Sequence, residues 1–206
     1  MEPGVTLAQP FLPPRVRVGC TQGKTFGWLV TSLHCAALVA FALATQSMKS
    51  DSNDSKEDQA AASQLYNLYI GVSMMMFVGF GYLMTFLRWY GLGAAGLTML
   101  VTCLGVELAL LVEPLFDESF AGSVTIDMAA LLNANFAVAA FLISFGGLIG
   151  KVGPAQLVVL VVLETGAYCA NKKLVLERWL EVADVGGTIT IHMFGAYFGL
   201  AAAQVL

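Results

Sequence analysis

Six long apolar runs constrain this chain more than any other feature: residues 26–44, 65–87, 89–112, 128–150, 152–171 and 185–206. A helix of ~20 residues crosses a hydrocarbon layer, and each run is of that order. Within such a layer every backbone N–H and C=O needs an internal partner, so only helices or closed barrels span it. The runs are too long and too uniformly apolar for the ~10-residue alternation of barrel strands. Composition agrees: the 206 residues are 58% hydrophobic and 12% charged, where soluble domains carry about 25% charge. A soluble globule of this size lacks the interior to hide so much apolar surface, and disorder demands the opposite composition. The expectation is an all-α polytopic membrane protein with about six transmembrane helices, in contact with a lipid bilayer.

A formal net charge of −4 argues against a nucleic-acid partner, which requires a basic face. Cys20, Cys35, Cys103 and Cys169 stand far apart without a C-x-x-C pair. They read as small buried hydrophobes, not as a disulfide framework or metal site, and no residue pattern demands a cofactor. The positive-inside rule sets the orientation. Arg15, Arg17 and Lys24 make residues 1–25 a cytoplasmic tail, Arg88 and Lys151 fall on cytoplasmic turns, and the acidic segments 49–58 and 113–127 face outward. Lys172, Lys173 and Arg178 break this pattern in an outer loop, offset by Glu177, Glu181 and Asp184. The basic start and Ala42-Leu43-Ala44 also fit a cleaved signal peptide. The long tail and the long apolar run favour a retained helix over 26–45. The polar stretch 46–64 is then an external loop, and Asn53-Asp54-Ser55 within it is an N-x-S glycosylation acceptor.

Two phosphate-loop lookalikes fail on context. Gly91-Leu92-Gly93-Ala94-Ala95-Gly96 opens a long apolar run where a dinucleotide fold needs a preceding short strand, and Gly150-Lys151 lacks both the first glycine and the Ser/Thr of a P-loop. Glycine is read instead as packing material, with Gly146/Gly150 and Gly195/Gly199 as small-x-x-x-small pairs on the fourth and sixth helices. Polar groups at membrane depth are costly in lipid and must face protein or a pathway. Glu107 and Glu164 fit either a buried hydrogen bond or a pathway, and His34, with no carboxylate nearby in sequence, reads as structural. In the last run Asp184 is placed to cap the helix start. His192, eight residues further, lies about 12 Å along the axis. A neutral imidazole there donates at one nitrogen and accepts at the other, so it can hold a small polar molecule without a charge.

Asp184-Val185-Gly186-Gly187 followed by His192 and Phe194-Gly195-Ala196-Tyr197-Phe198-Gly199-Leu200 resembles the Rhesus (Rh) glycoprotein branch of the ammonium transporter superfamily. Phe77-Val78-Gly79-Phe80-Gly81-Tyr82, Asn133-Ala134-Asn135-Phe136 and Phe145-Gly146-Gly147 through Leu157 carry the same likeness, as does an extra first helix followed by a glycosylatable loop. The resemblance implies a homotrimer in the plasma membrane whose subunits each conduct ammonia through a narrow apolar pore, with carbon dioxide passage by analogy. Phe136 matches a gate phenylalanine, Asp184 the aspartate that shapes the vestibule, and His192 the first pore histidine. Two departures stand out: Asn135 replaces an acid of the family pattern, and Lys172 and Lys173 follow Asn171 where some relatives carry an acid. The family fold has two inverted five-helix repeats. After the extra helix, residues 65–206 are expected to form the first repeat, so the chain is a fragment or a truncated member that associates with full-length relatives and does not conduct alone. A non-conducting Rh-type scaffold is the rival reading. An intramembrane enzyme using Glu164 and His192 as an acid–base pair is more remote, since no nucleophile motif accompanies them.

Overall fold

Where apolar residues continue for 17 or more positions without proline, the chain is helical, and the prolines and polar clusters mark the breaks. The computed structural model describes residues 20–46, 56–86, 91–117, 120 and 122–206. Helix α1 runs Cys20–Ala44 and α2 Lys56–Met74. Helix α2 continues through a wide turn, Met75–Phe80, to a tight one at Met84–Phe86. Helix α3 spans Gly91–Val112, α4 Met128–Leu148, α5 Pro154–Ala170 and α6 Phe194–Val205. A wide helical stretch, Asn171–Trp179, extends α5, and a left-handed kink followed by the wide turn Thr188–Met193 leads into α6. Six of the resulting segments are long and apolar enough to cross a membrane: Gly23–Ala44, Ala62–Leu83, Gly91–Phe116, Met128–Leu148, Pro154–Trp179 and Val185–Val205. The described strands, β1 Thr45–Gln46 and β2 Val124–Thr125, form a two-residue parallel bridge between loops at one end.

Several boundaries move. Helix α1 begins at Cys20, inside the expected tail, and α2 begins at Lys56, inside the expected loop; residues 56–64 include three Ala and two Gln, which favour helix in water. The fifth span continues to Trp179, so Lys172, Lys173 and Arg178 sit on a helical extension and not in a loop. Asn53, Arg15, Arg17 and Arg88 lie outside the described residues.

Helix α4 is the hub, packed by α2, α3, α5 and α6. Its alanines and Ser144 leave room for backbones, and two glycines of α6 use it. A Cβ on Gly195 would stand 2.5 Å from the Ala140 carbonyl oxygen, and one on Gly199 2.9 Å from Ser144 Cα. Gly105 of α3 also approaches this helix closely, but against the Val138 side chain instead of backbone. The second expected pair does not pack against any described residue: Gly146 has nothing within 4 Å of a Cβ placed there, and Gly150 lies beyond the helix end at φ 83°. Spacing places small residues on one face but does not say whether a neighbour arrives there. The cysteines also divide, with Cys169 buried while Cys35 and Cys103 are exposed; an apolar thiol is tolerated against hydrocarbon as well as in a core.

Ionisable groups at membrane depth find partners far away in sequence. His34 Nδ1 stands 2.8 Å from Glu107 Oε2, a partner 73 positions away that its sequence neighbourhood does not reveal. Glu164 is 1% exposed, and its Oε1 accepts from the Ser144 hydroxyl, which also lies 2.7 Å from the Gly195 carbonyl oxygen. Glu164 is thus tied to the α4–α6 contact, whereas His192 is exposed, so the two do not form an acid–base pair.

Gly195→Ala is expected to weaken the chain by about 1–3 kcal/mol, because the obstructing atom is backbone and cannot rotate away. Gly146→Ala, on an open face of the helix, should leave stability unchanged or raise it by up to about 1 kcal/mol, because alanine is the better helix former. Unfolding by denaturant titration in detergent micelles measures both.

Candidate functional site

The ends of α3 and α5 and the starts of α4 and of the last span meet at the end of the bundle that carries the β1–β2 bridge. Two cavities open there. One, of about 330 Å³, is lined by Asn133 and Phe136 of α4, Tyr168 of α5, Lys172 of its extension, and Asp184 and Thr190 of the last span. The other, of about 410 Å³, is lined by Glu113, Asp117, Asp127 and Lys173 among others, and Asn133 borders both.

Asp184 is held by the backbone it organises. Gly186 and Gly187 take left-handed conformations, φ 81° and 70°, which residues with a Cβ adopt only at a cost of about 1 kcal/mol or more. The chain doubles over its own start, so the carboxylate reaches residues five and six positions on instead of the usual two or three. Its Oδ2 accepts from Ile189 N–H at 3.0 Å, from Thr190 N–H at 2.7 Å and from the Thr190 hydroxyl at 2.8 Å. Partial burial pushes the Asp184 carboxyl up, but the hydrogen bonds from Thr190, Ile189 and Thr188 outweigh that and hold it below the ordinary carboxylate range. The expected cap is therefore present, on the turn Thr188–Met193 instead of the first residues after Asp184.

Phe136 is half-buried and shares the smaller cavity with Asp184. His192 follows Asp184 by eight residues on the same span but stands on an exposed face, outside that cavity. Met193, Tyr197 and Leu200 are exposed beside it, at 48%, 69% and 64%. The structure therefore joins Phe136 to Asp184 and leaves His192 on an apolar surface further along. Asn135 does not enter the cavity; it is 2% exposed and its Nδ2 donates to Ser73 Oγ at 2.9 Å, tying α4 to α2.

The cavity also contains residues that the sequence analysis named without assigning them to the site. Asn133 precedes Phe136 by three positions and Lys172 follows Tyr168 by four, the spacings that share a helix face, so each was one turn from a residue on the same wall. Glu113, next to a short turn after α3, accepts from Lys172 Nζ at 2.7 Å. Phe194 packs edge-on to Tyr168 with ring centroids 5.7 Å apart, fastening the cavity wall to α6. Among the described residues no group of three or more His, Cys, Asp or Glu could hold a metal ion.

Hydrogen exchange reports the Asp184 cap. Because the folded carboxyl is more acidic than the unfolded one, its contribution is complete above about pH 4 and is lost as pH falls through the lowered value. Corrected for intrinsic exchange, the Ile189 and Thr190 amides should lose protection only on that acidic side. Asp184→Ala should cost them about fivefold at neutral pH, the equivalent of about 1 kcal/mol for a lost cap.

Comparison with known proteins adds a relationship. A profile of the Ammonium Transporter Family matches residues 30–206. The chain is similar to the ammonium transporter Rh type C of Xenopus laevis, 40% identical over 141 residues that make up 68% of this chain and 30% of that protein. It is similar also to Rh type B of Bos taurus, 43% identical over 141 residues, 68% of this chain and 31% of that one. Rh type A of Bos taurus aligns over 189 residues at 35% identity, 88% of this chain and 44% of the relative. Among solved structures the chain is similar to Nitrosomonas europaea Rh50, described with the mechanism of conduction by the Rhesus protein family of channels, with TM-score 0.66 and 35% identity over 72% of this chain and 40% of that one. The chain thus spans less than half the length of these relatives.

Proposed function

This chain belongs to the ammonium transporter family, and from that premise we propose that the Phe136–Asp184 cavity is the outer mouth of an ammonia-conducting path. The protein is a multi-pass membrane protein of a transporter family, not an enzyme. The observation that carries the proposal is the placement of a phenylalanine and a helix-capping carboxylate in one cavity, with a histidine further along the same span.

The chemistry follows from solvation. A bare ammonium ion in an apolar path would cost tens of kcal/mol by the Born estimate. Ammonia loses only hydrogen bonds, a few kcal/mol, and an imidazole returns one or two. The proton is therefore given up outside, ammonia passes Phe136, and His192 offers it an imidazole donor and acceptor at membrane depth. Asp184 acts on structure, fixing the turn on which Thr190 and His192 stand. The exposed apolar face around His192 needs a wall opposite it before it can enclose a path, and association with a full-length relative supplies one. Carbon dioxide is a second passenger of the same apolar route. The chain resides in the plasma membrane with its N-terminus in the cytoplasm, which puts the cavity end and Asn53 outside.

Liposomes carrying an internal pH dye test this. After an ammonium gradient, the 206-residue chain alone should give no His192-dependent alkalinisation. Assembled with a full-length Rh-type relative, His192→Ala in this chain should slow alkalinisation at matched expression and folding. Unchanged flux at matched assembly would overturn the assignment of His192. A second reading, a non-conducting scaffold, is favoured by the lysines that already occupy carboxylates at the mouth, and an assembly whose flux ignores every change in this chain would select it. Expression in a eukaryotic membrane should also yield a glycoform that Asn53→Gln abolishes.

A further inference from the structure

Five carboxylates line the two outer cavities, and each already holds a donor. Glu113 Oε1 is 2.7 Å from Lys172 Nζ and 4.0 Å from Lys173 Nζ. Lys173 Nζ also lies 3.0 Å from Asp117 Oδ1 and 3.3 Å from Glu177 Oε2. Asp127 Oδ1 takes the Ala130 N–H at 2.6 Å, starting α4, and Asp184 Oδ2 is filled by Ile189 and Thr190. The two lysine side chains are only 13% and 18% exposed, so their ammonium groups have exchanged most of their water for these acids.

A lysine ammonium and a free ammonium ion offer the same kind of N–H donor to a carboxylate. The lysine is tethered, so it competes at a high effective concentration that dilute ammonium cannot match. Neutral ammonia meets no such rival, because it carries no charge to be drawn to those acids. Lys172 borders the smaller cavity beside Phe136 and Lys173 borders the larger one, so the two guard both compartments.

We propose that Lys172 and Lys173 are specificity-determining residues of this mouth: they hold the carboxylates that would otherwise collect ammonium ion, and the mouth takes ammonia already neutral from solution. The N–H bond of ammonium then breaks in bulk water, which receives the proton, and no carboxylate of the mouth carries it. The proposal rests on the conduction reading above, but its central element is a local potential that can be measured without flux.

The measurement uses a reporter cysteine, Asn133→Cys, on the wall shared by the cavities, in the full chain with Cys20, Cys35 and Cys103 replaced by Ala. Its rates of modification by a cationic and an anionic methanethiosulfonate give a ratio set by local charge. Lys172→Gln should raise the cationic-to-anionic ratio by about tenfold, as expected for a unit charge a few ångströms away at a partly hydrated site. Glu113→Gln should lower it, and the double variant should return to the parent ratio, which also guards against a single variant that fails to fold. Lys24→Gln, at the other end of the bundle, should leave it unchanged. Ammonium chloride, against sodium chloride at equal ionic strength, should protect the reporter in Lys172→Gln and not in the parent. A folded Lys172→Gln protein with the parent ratio, or equal protection by ammonium in both, overturns the proposal. Either result can arise in a chain that still supports flux in an assembly, so failure here is distinguishable from failure of the conduction reading.

Discussion

Where Gly195 meets Ala140 and Gly199 meets Ser144, two helices touch through their backbones, with the Ile143 and Ser144 side chains alongside. In lipid there is no hydrophobic force between helices, because hydrocarbon outside is as apolar as leucine inside. Dispersion between closely approaching backbones has to do that work, and it falls away within an ångström. The contact fixes the last span against α4, and with it the relation of Asp184, on the kinked start of that span, to Phe136 on α4. Phe194 against Tyr168 extends the same attachment to α5. Altering the glycine contact would therefore move the wall of the cavity as well as reduce stability.

Polar groups at depth are reconciled with the bilayer in three different ways. Glu164 is enclosed and held by Ser144 at the glycine contact, although its Oε2 finds no partner among the described residues. Lys172 and Glu113 neutralise each other at the cavity end of the bundle, where long side chains can still reach water. His34 and Glu107 join the first helix to α3 while remaining 51% and 25% exposed at the side chain. A lone ionised group in any of these places would be expensive. Each pair joins different helices, so electrostatic necessity and tertiary specificity coincide.

Much of this was readable from residue order alone, for identifiable reasons. Long apolar runs announce spans because hydrocarbon thickness and helical rise are constants, and all six were placed. Phe136, Asp184 and His192 stand in motifs dense enough to mark them. Their positions relative to one another were less accessible: His192 is on an open face while Phe136 and Asp184 share a cavity. What stayed hidden depends on contacts between distant segments. His34 pairs with a carboxylate 73 positions away, and Ser144 bridges Glu164 and Gly195 across two other helices. Lys172 and Lys173 looked like an awkward outer loop because the wide helical turns that carry them have no apolar period. The expected Gly146/Gly150 pair fails for the same reason that Gly195/Gly199 succeeds: a small face matters only where a neighbour occupies it.

On the conduction reading, the cavity at Phe136 and Asp184 leads along the last span to an enclosed His192. A cryo-electron-microscopy map of the membrane assembly containing this chain, recorded in ammonium, tests it most directly. The expected map shows a protein element covering His192, Met193, Tyr197 and Leu200, a continuous narrow passage from the Phe136–Asp184 cavity to the imidazole, and Lys172 still on Glu113. A map in which His192 faces lipid, with the cavity ending blindly above it, would contradict the account.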